Sequence, residues 1–274
     1  MATSPNTLTL YRYKLTNKGY TEDLGEGISL TLMLIPAGEF IMGAPDGEPE
    51  SYNDERPQHR VELSQFLMGR YPITQAQWRV VAGYDRVEID LEPSPSRFEG
   101  DDLPVEQVTW YQAVEFCQRL SAKTKKNYHL PSEAQWEYAC RAGTTTAYHF
   151  GAQLTEEVSN YEGKVGKTTP VGRYPANGWG LHDMHGNVLE WCQDHWHSDY
   201  EGAPTNGSAW TEGGDSNRRI LRGGSWDFDP RGCRSAYRFF NEPGNVSNDL
   251  SFRVVCAASR RRATAPRTLQ RLTG

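Results

Sequence analysis

The segment Leu221–Val255, LRGGSWDFDPRGCRSAYRFFNEPGNVSNDLSFRVV, decides how the rest of this chain is read. Two kinds of residue are woven through it. Arg222, Gly223, Gly224, Ser225, Trp226, Arg234, Ser235, Arg238 and Phe252-Arg253-Val254-Val255 have the character of a rigid frame. Paired glycines in a strand allow close backbone approach, Trp226 offers a large apolar anchor, and the final residues predict a closing strand. Arg222, Arg234, Arg238 and Arg253 read as structural partners for carboxylates rather than as an anion site. Between the frame residues stand Asp227, Phe228, Asp229, Gly232, Tyr237, Phe239, Phe240, Asn241, Val246, Ser247, Asn248, Asp249 and Ser251, which follow no period. Phe239 and Phe240 are adjacent, so an extended backbone sends them to opposite faces and one of them away from the core. The expectation is a binding surface carried on a scaffold.

The totals narrow the function classes. At 274 residues the chain is long enough for a sizeable core. A formal charge of −6 lacks the basic footprint of a nucleic-acid binder, so no nucleic-acid partner is expected. No apolar run reaches membrane-spanning length, and residues 1–20 lack the pattern of a signal peptide. The chain as given therefore reads as cytoplasmic, without a membrane partner, and as a monomer. Five cysteines in a chain of this length make no disulfide framework, and Cys117 and Cys140 sit at helical core spacings.

In chain order, residues 1–25 are polar and turn-rich and read as an N-terminal arm. Residues 30–44, LTLMLIPAGEFIMGA, predict a hairpin closed by a Pro-Ala-Gly turn, and residues 61–74 predict a strand pair. Thr74-x-x-Gln77, Thr109-x-x-Gln112 and Ser132-x-x-Gln135 are three capping boxes, each predicting a helix start. The first helix should end at Ala82 before Gly83, and the third near Gly143. Beyond Gly143 short strands and Gly/Asn/Pro turns take over. Residues 177–191 predict strand–turn–strand and 194–218 a polar loop. The basic stretch 259–274 predicts a disordered tail.

The motifs IPAGEFIMG, YPITQAQW, PVEQVTWYQAVEFCQRLS, HLPSEAQWEYACRAG, NGWGLHDMHGNVLEW and LRGGSW…FRVV, in this order, resemble the formylglycine-generating-enzyme (sulfatase-modifying factor) family. The resemblance implies one α+β domain over 26–258 with a C-type-lectin-like fold: few helices, short irregular β-strands and long packed loops. The family's oxidases hold copper with two cysteines after the RGGSW-like strand; here the second matches Cys233 but Phe228 stands at the first. A single sulfur does not reproduce that site, so neither copper nor an enzyme is expected. The variable segment resembles more closely the diversity-generating-retroelement variable proteins built on the same domain. In those systems, randomising the adenines of Asn-type codons cannot yield Lys, Glu, Gln, Met or Trp. None of the non-frame residues given above is one of these. The implied function is a diversified ligand-binding protein with a variable region at 221–255, its partner an unidentified protein or small molecule. The alternative is an oxidase that modifies a cysteine in a peptide substrate.

The resemblance also implies calcium at Asp183, Gly186, Val188 and Glu190, where oxygen donors on a Gly-Asn turn suit a hard cation; a carboxylate pair capping a β-turn is the bland alternative. A second family calcium site, around Asn160-Tyr161, lacks the Asp expected beside Thr168-Thr169. His182, His185, His195 and His197 offer imidazoles for zinc or iron, against a reading as hydrogen-bonded histidines. Cys233 has no His near it in sequence to activate a nucleophile.

Overall fold

The computed structural model describes residues 15–258; the basic stretch 259–274 lies outside them. Among the described residues, three α-helices and eleven β-strands build an α+β domain. All three predicted capping boxes form. Thr74, Thr109 and Ser132 each accept a bond from the backbone N–H of the glutamine three residues on, and start α1 (Gln75–Ala82), α2 (Trp110–Thr124) and α3 (Glu133–Arg141). The apolar stripes of α1 and α2 meet in one core, with Trp78 stacked on Phe116 and both set edge-on to Phe252. Trp136 of α3 anchors a second core with Met68, Cys140 and Ile220.

The sheets correct three local readings. Strand β1 (Gly19–Gly25), inside the expected arm, pairs along β2 (Ile28–Ile35), because Leu24 and Glu22 are buried there. The Pro36-Ala37 turn closes no hairpin: β2 pairs with β5 (Phe66–Gly69), and β3 (Gly38–Met42) pairs with β4 (His59–Leu63). Ile35 faces Phe66 and Gly38 faces Leu63, so the register runs unbroken across the gap. Residues 30–42 and 59–69 are thus the two arms of one long antiparallel ribbon. The strand β6 (Tyr128–His129) and the closing β11 (Val255–Ala257) complete a sheet of order β1-β2-β5-β11-β6.

Only the end of 177–191 is a strand. β7 (Leu189–Trp196) begins at Leu189, because Gly180, Asp183, Gly186 and Asn187 hold left-handed backbone that no strand accommodates. β7 pairs with β8 (Asp215–Arg222) and, in parallel, with β10 (Leu250–Ser251); β9 (Phe239–Asn241) pairs outside β8 as the edge strand. No helix of the described residues is long and apolar enough to cross a membrane.

Candidate ligand-binding face

The backbone of 221–255 is fastened to the rest of the molecule along its length. Glu162 and Gly163 donate to the carbonyls of Phe228 and Trp226, Ser235 to Ala147, Gln107 to Ser247, Leu189 to Asp249, and Ile73 to Phe252, at 2.7–3.0 Å. Side chains of the frame add buried ion pairs. Arg238 grips Glu133 with two bonds of 2.7 and 3.0 Å, Arg253 grips Glu190 with two of 2.6 Å, and Arg234 bridges Glu55 and Glu48. Arg222 bonds Glu137 at 2.5 Å and the carbonyls of Ser235, Ala236 and Tyr237. Each arginine is almost wholly enclosed, and such charges stand only when paired. Burial tends to raise the Glu133 carboxyl, but Arg238 and Arg222 hold it below the usual range. The arginines are thus structural, as their pattern in the sequence predicts. Trp226, expected as a core anchor, is instead half-buried against Phe98.

On this frame the aromatic side chains form a continuous ridge. Tyr52 meets Tyr237 at 5.9 Å; Tyr237 meets Phe228 at 6.2 Å; Phe228 meets Phe239 at 5.4 Å; Phe239 meets Phe240 at 6.0 Å; and Phe240 meets Trp196 at 4.4 Å, all between ring centres. Tyr237, Phe228, Phe239, Phe240 and Trp196 are half-buried and Tyr52 is exposed. Phe228 and Phe239 rest their inner sides on the core. Arg231 lies over Tyr52 and Arg218 over Phe240, contacts that stabilise exposed rings modestly. Burial raises the Tyr237 hydroxyl, so it stays protonated at neutral pH.

Other expected surface residues divide. Asp227, Asp229 and Val246 are exposed; Asn241, Ser247, Asn248 and Asp249 are partly covered. Asp249 accepts bonds from Ser225 and Ser247, which gives it a bracing role. Gly232 and Ser251 are corrections. Gly232 is buried beneath the Phe228 ring, where a Cβ would clash, and Ser251 is enclosed in β10. Tyr52, Trp196 and Arg218, which lie outside 221–255, were missed, as was Arg231 within it. The first three lie far from one another in sequence, and the juxtaposed 3-10 turn at Asn53–Glu55 and the β7–β8 pair bring them to the ridge, whereas Arg231 sits in the Pro230–Cys233 turn of the segment itself.

The four expected calcium residues differ in their surroundings. Glu190 accepts bonds from Arg253 and Trp136, so its charge is already balanced. Asp183 differs: one oxygen accepts the Gly172 amide at 2.8 Å, and the other is buried without a partner. Burial pushes its carboxyl up to about 6. Gly186 and Val188 are buried in the same turn, where the Gly186 carbonyl accepts the Val188 amide.

Three of the four histidines are held by backbone carbonyls, His182 by Tyr174, His185 by Cys233 and His197 by Glu212, whereas the Nδ1 of His195 is buried without a partner. Cys233 is fully buried and its thiol is raised by burial, and no group of three metal-binding side chains occurs among the described residues. The donor set around Cys233 therefore does not fit copper.

The chain belongs to the family described as the sulfatase-modifying factor enzyme 1-like domain, whose model matches residues 28–258. It is 30% identical, over 83% of its length and 90% of the relative's, to the chaperone protein LppX of Paenibacillus barcinonensis. It is 32% identical to hercynine oxygenase of Mycolicibacterium smegmatis over 79% of its own length, spanning 59% of that protein. It is 27% identical to the formylglycine-generating enzyme of Bos taurus, covering 82% and 73% of the two chains. Among solved structures, PvdO from Pseudomonas aeruginosa superposes with a TM-score of 0.77 at 30% identity, over 89% of this chain and all of that one. Treponema denticola variable protein 1 does so with 0.75 at 28%, over the same shares. The fold expectation stands. The expectation of a non-enzymatic protein does not: relatives named as an oxygenase and a formylglycine-generating enzyme point to enzymatic activity within this family.

Proposed function

We propose that the chain binds a ligand through the ridge Tyr52–Tyr237–Phe228–Phe239–Phe240–Trp196, as a variable protein of the diversity-generating-retroelement type. The observation that carries this reading is the separation of roles in 221–255: buried arginines and main-chain bonds fix the backbone, while the half-exposed aromatic side chains form a chain of ring contacts that crosses the β9 edge from one side of the sheet to the other. Aromatic rings give contact area at low entropy cost, and a few such anchors dominate binding energy. The likeness to Treponema denticola variable protein 1 supports it. The test is the surrounding DNA. A near-duplicate of the segment coding for 221–255, differing at adenines and beside a reverse-transcriptase gene, is expected; its absence from the complete genome would remove the diversified part of the reading.

The names of the enzyme relatives favour a second reading, catalysis on a peptide bound at the same face. Incubation with a cysteine-containing peptide, followed by mass spectrometry for thiol-to-aldehyde conversion, tests it. For the turn at 183–188 the proposal is calcium, held by the unpartnered Asp183 oxygen and the carbonyls of Gly186 and Val188.

A further inference from the structure

We infer that the ridge takes an extended, acidic and aromatic peptide segment of a partner protein, added along the edge of β9 with a carboxylate on Arg219. The inference rests on the proposed binding face and names the partner's chemistry.

β9 is the outer strand of its sheet, and Phe239, Phe240 and Asn241 are all half-exposed. Residues opposite each other in antiparallel strands share a face. Phe239 faces Leu221 and Asn241 faces Arg219, so these side chains lie on one side of the sheet; Phe240 faces Ile220 on the other, where it meets Trp196 and lies under Arg218. Each side of the edge thus offers one aromatic ring and one guanidinium. A strand added to β9 sends alternate side chains to the two sides, so it meets both pairs.

The charges select the occupant. Arg218 has Asp215 at 3.2 Å, and Arg231 has Asp229 at 3.6 Å. Arg219 has no carboxylate within ion-pair distance among the described residues. It lies 4.6 Å from the centre of the Trp110 ring, its Nε is buried without a partner, and one terminal nitrogen bonds the Ser216 carbonyl. A half-buried guanidinium of this kind gains most from a carboxylate, which it can grip with two bonds. Tyr111, half-exposed beside Trp110, extends the apolar rim. The whole chain carries −6, so nothing attracts an acidic partner at long range and the preference resides in this contact.

The test uses three fluorescein-labelled pentapeptides on the full chain, read by fluorescence anisotropy: Glu-Phe-Asp-Phe-Glu, its amide analogue Gln-Phe-Asn-Phe-Gln, and Lys-Phe-Lys-Phe-Lys. The acidic peptide is expected to bind about tenfold more tightly than the amide, a difference of about 1.4 kcal/mol, and the lysine peptide most weakly. Arg219→Gln should abolish the acid-over-amide preference while leaving the amide peptide unchanged, and Phe240→Ser should weaken both. Equal affinity for acid and amide, a preference that survives Arg219→Gln, or no binding by any peptide at about 1 mM overturns the inference. If charge makes no difference but Phe240→Ser still weakens binding, the acidic partner falls and the binding face stands. If Phe240→Ser changes nothing, the face itself falls.

Discussion

At the scale of single residues the frame depends on charges that water does not reach. Arg238→Met would leave Glu133 ionised and enclosed, with Tyr200 and Arg222 as its remaining neighbours. Breaking a buried pair in this way costs about 3–5 kcal/mol, and urea unfolding should show the midpoint falling accordingly. Glu106 is the opposite case, a buried carboxylate without a cation. One oxygen accepts the Phe98 amide, the other has no partner, and burial pushes the carboxyl from 4.5 up to about 7. The folded state therefore holds this proton more tightly than the unfolded state. Its contribution is complete below pH 4.5 and is lost as pH rises to about 7. Glu106→Gln, which keeps an acceptor for Phe98, should gain melting temperature over the parent between pH 5 and pH 8; parallel curves would contradict this. The role of the arginines was legible in the sequence because four of them sit among apolar frame residues. The burial of Gly232 and Ser251 was not, since small residues suit either side of a surface.

At the scale of elements, what was legible was local. A capping box acts within four residues, so all three helix starts can be read from the chain. Strand pairing is not local. The Pro36-Ala37 turn reads as a hairpin, yet the partners of its flanking strands lie well beyond it in sequence, at 59–69. The ridge is a product of such pairing, which is why Trp196 escapes notice until β7 and β8 are side by side. Within β9 the two phenylalanines differ. Phe239 packs on the larger core, whereas Phe240 covers Trp196 at the rim. Phe240→Ser should cost at most about 1 kcal/mol, Phe239→Ser more, and Trp78→Ala about 3–5 kcal/mol, all by chemical denaturation. Equal losses for Phe240 and Trp78 would mean the ridge is core.

For the whole molecule, the calcium proposal makes a claim about global stability. Calcium at millimolar concentration and pH 8 should raise the melting temperature, a chelator should reverse the gain, and Asp183→Asn should remove the response. A melting temperature that neither calcium nor the chelator moves would remove the calcium proposal. The C-terminal strand permits a further measurement. Deleting 255–257 removes β11, which lies between β5 and β6 and ties them into one sheet; loss of a cooperative unfolding transition is expected.

That strand follows the stretch in which side chains are proposed to vary. A copying error that shifts the reading frame anywhere upstream in that stretch also scrambles the piece that locks the sheet. Such a product would not persist as a well-folded molecule with a blank face; it would fail to close and be degraded. Under the proposed diversification, such an architecture would discard gross mistakes at folding and let substitutions alone reach the surface.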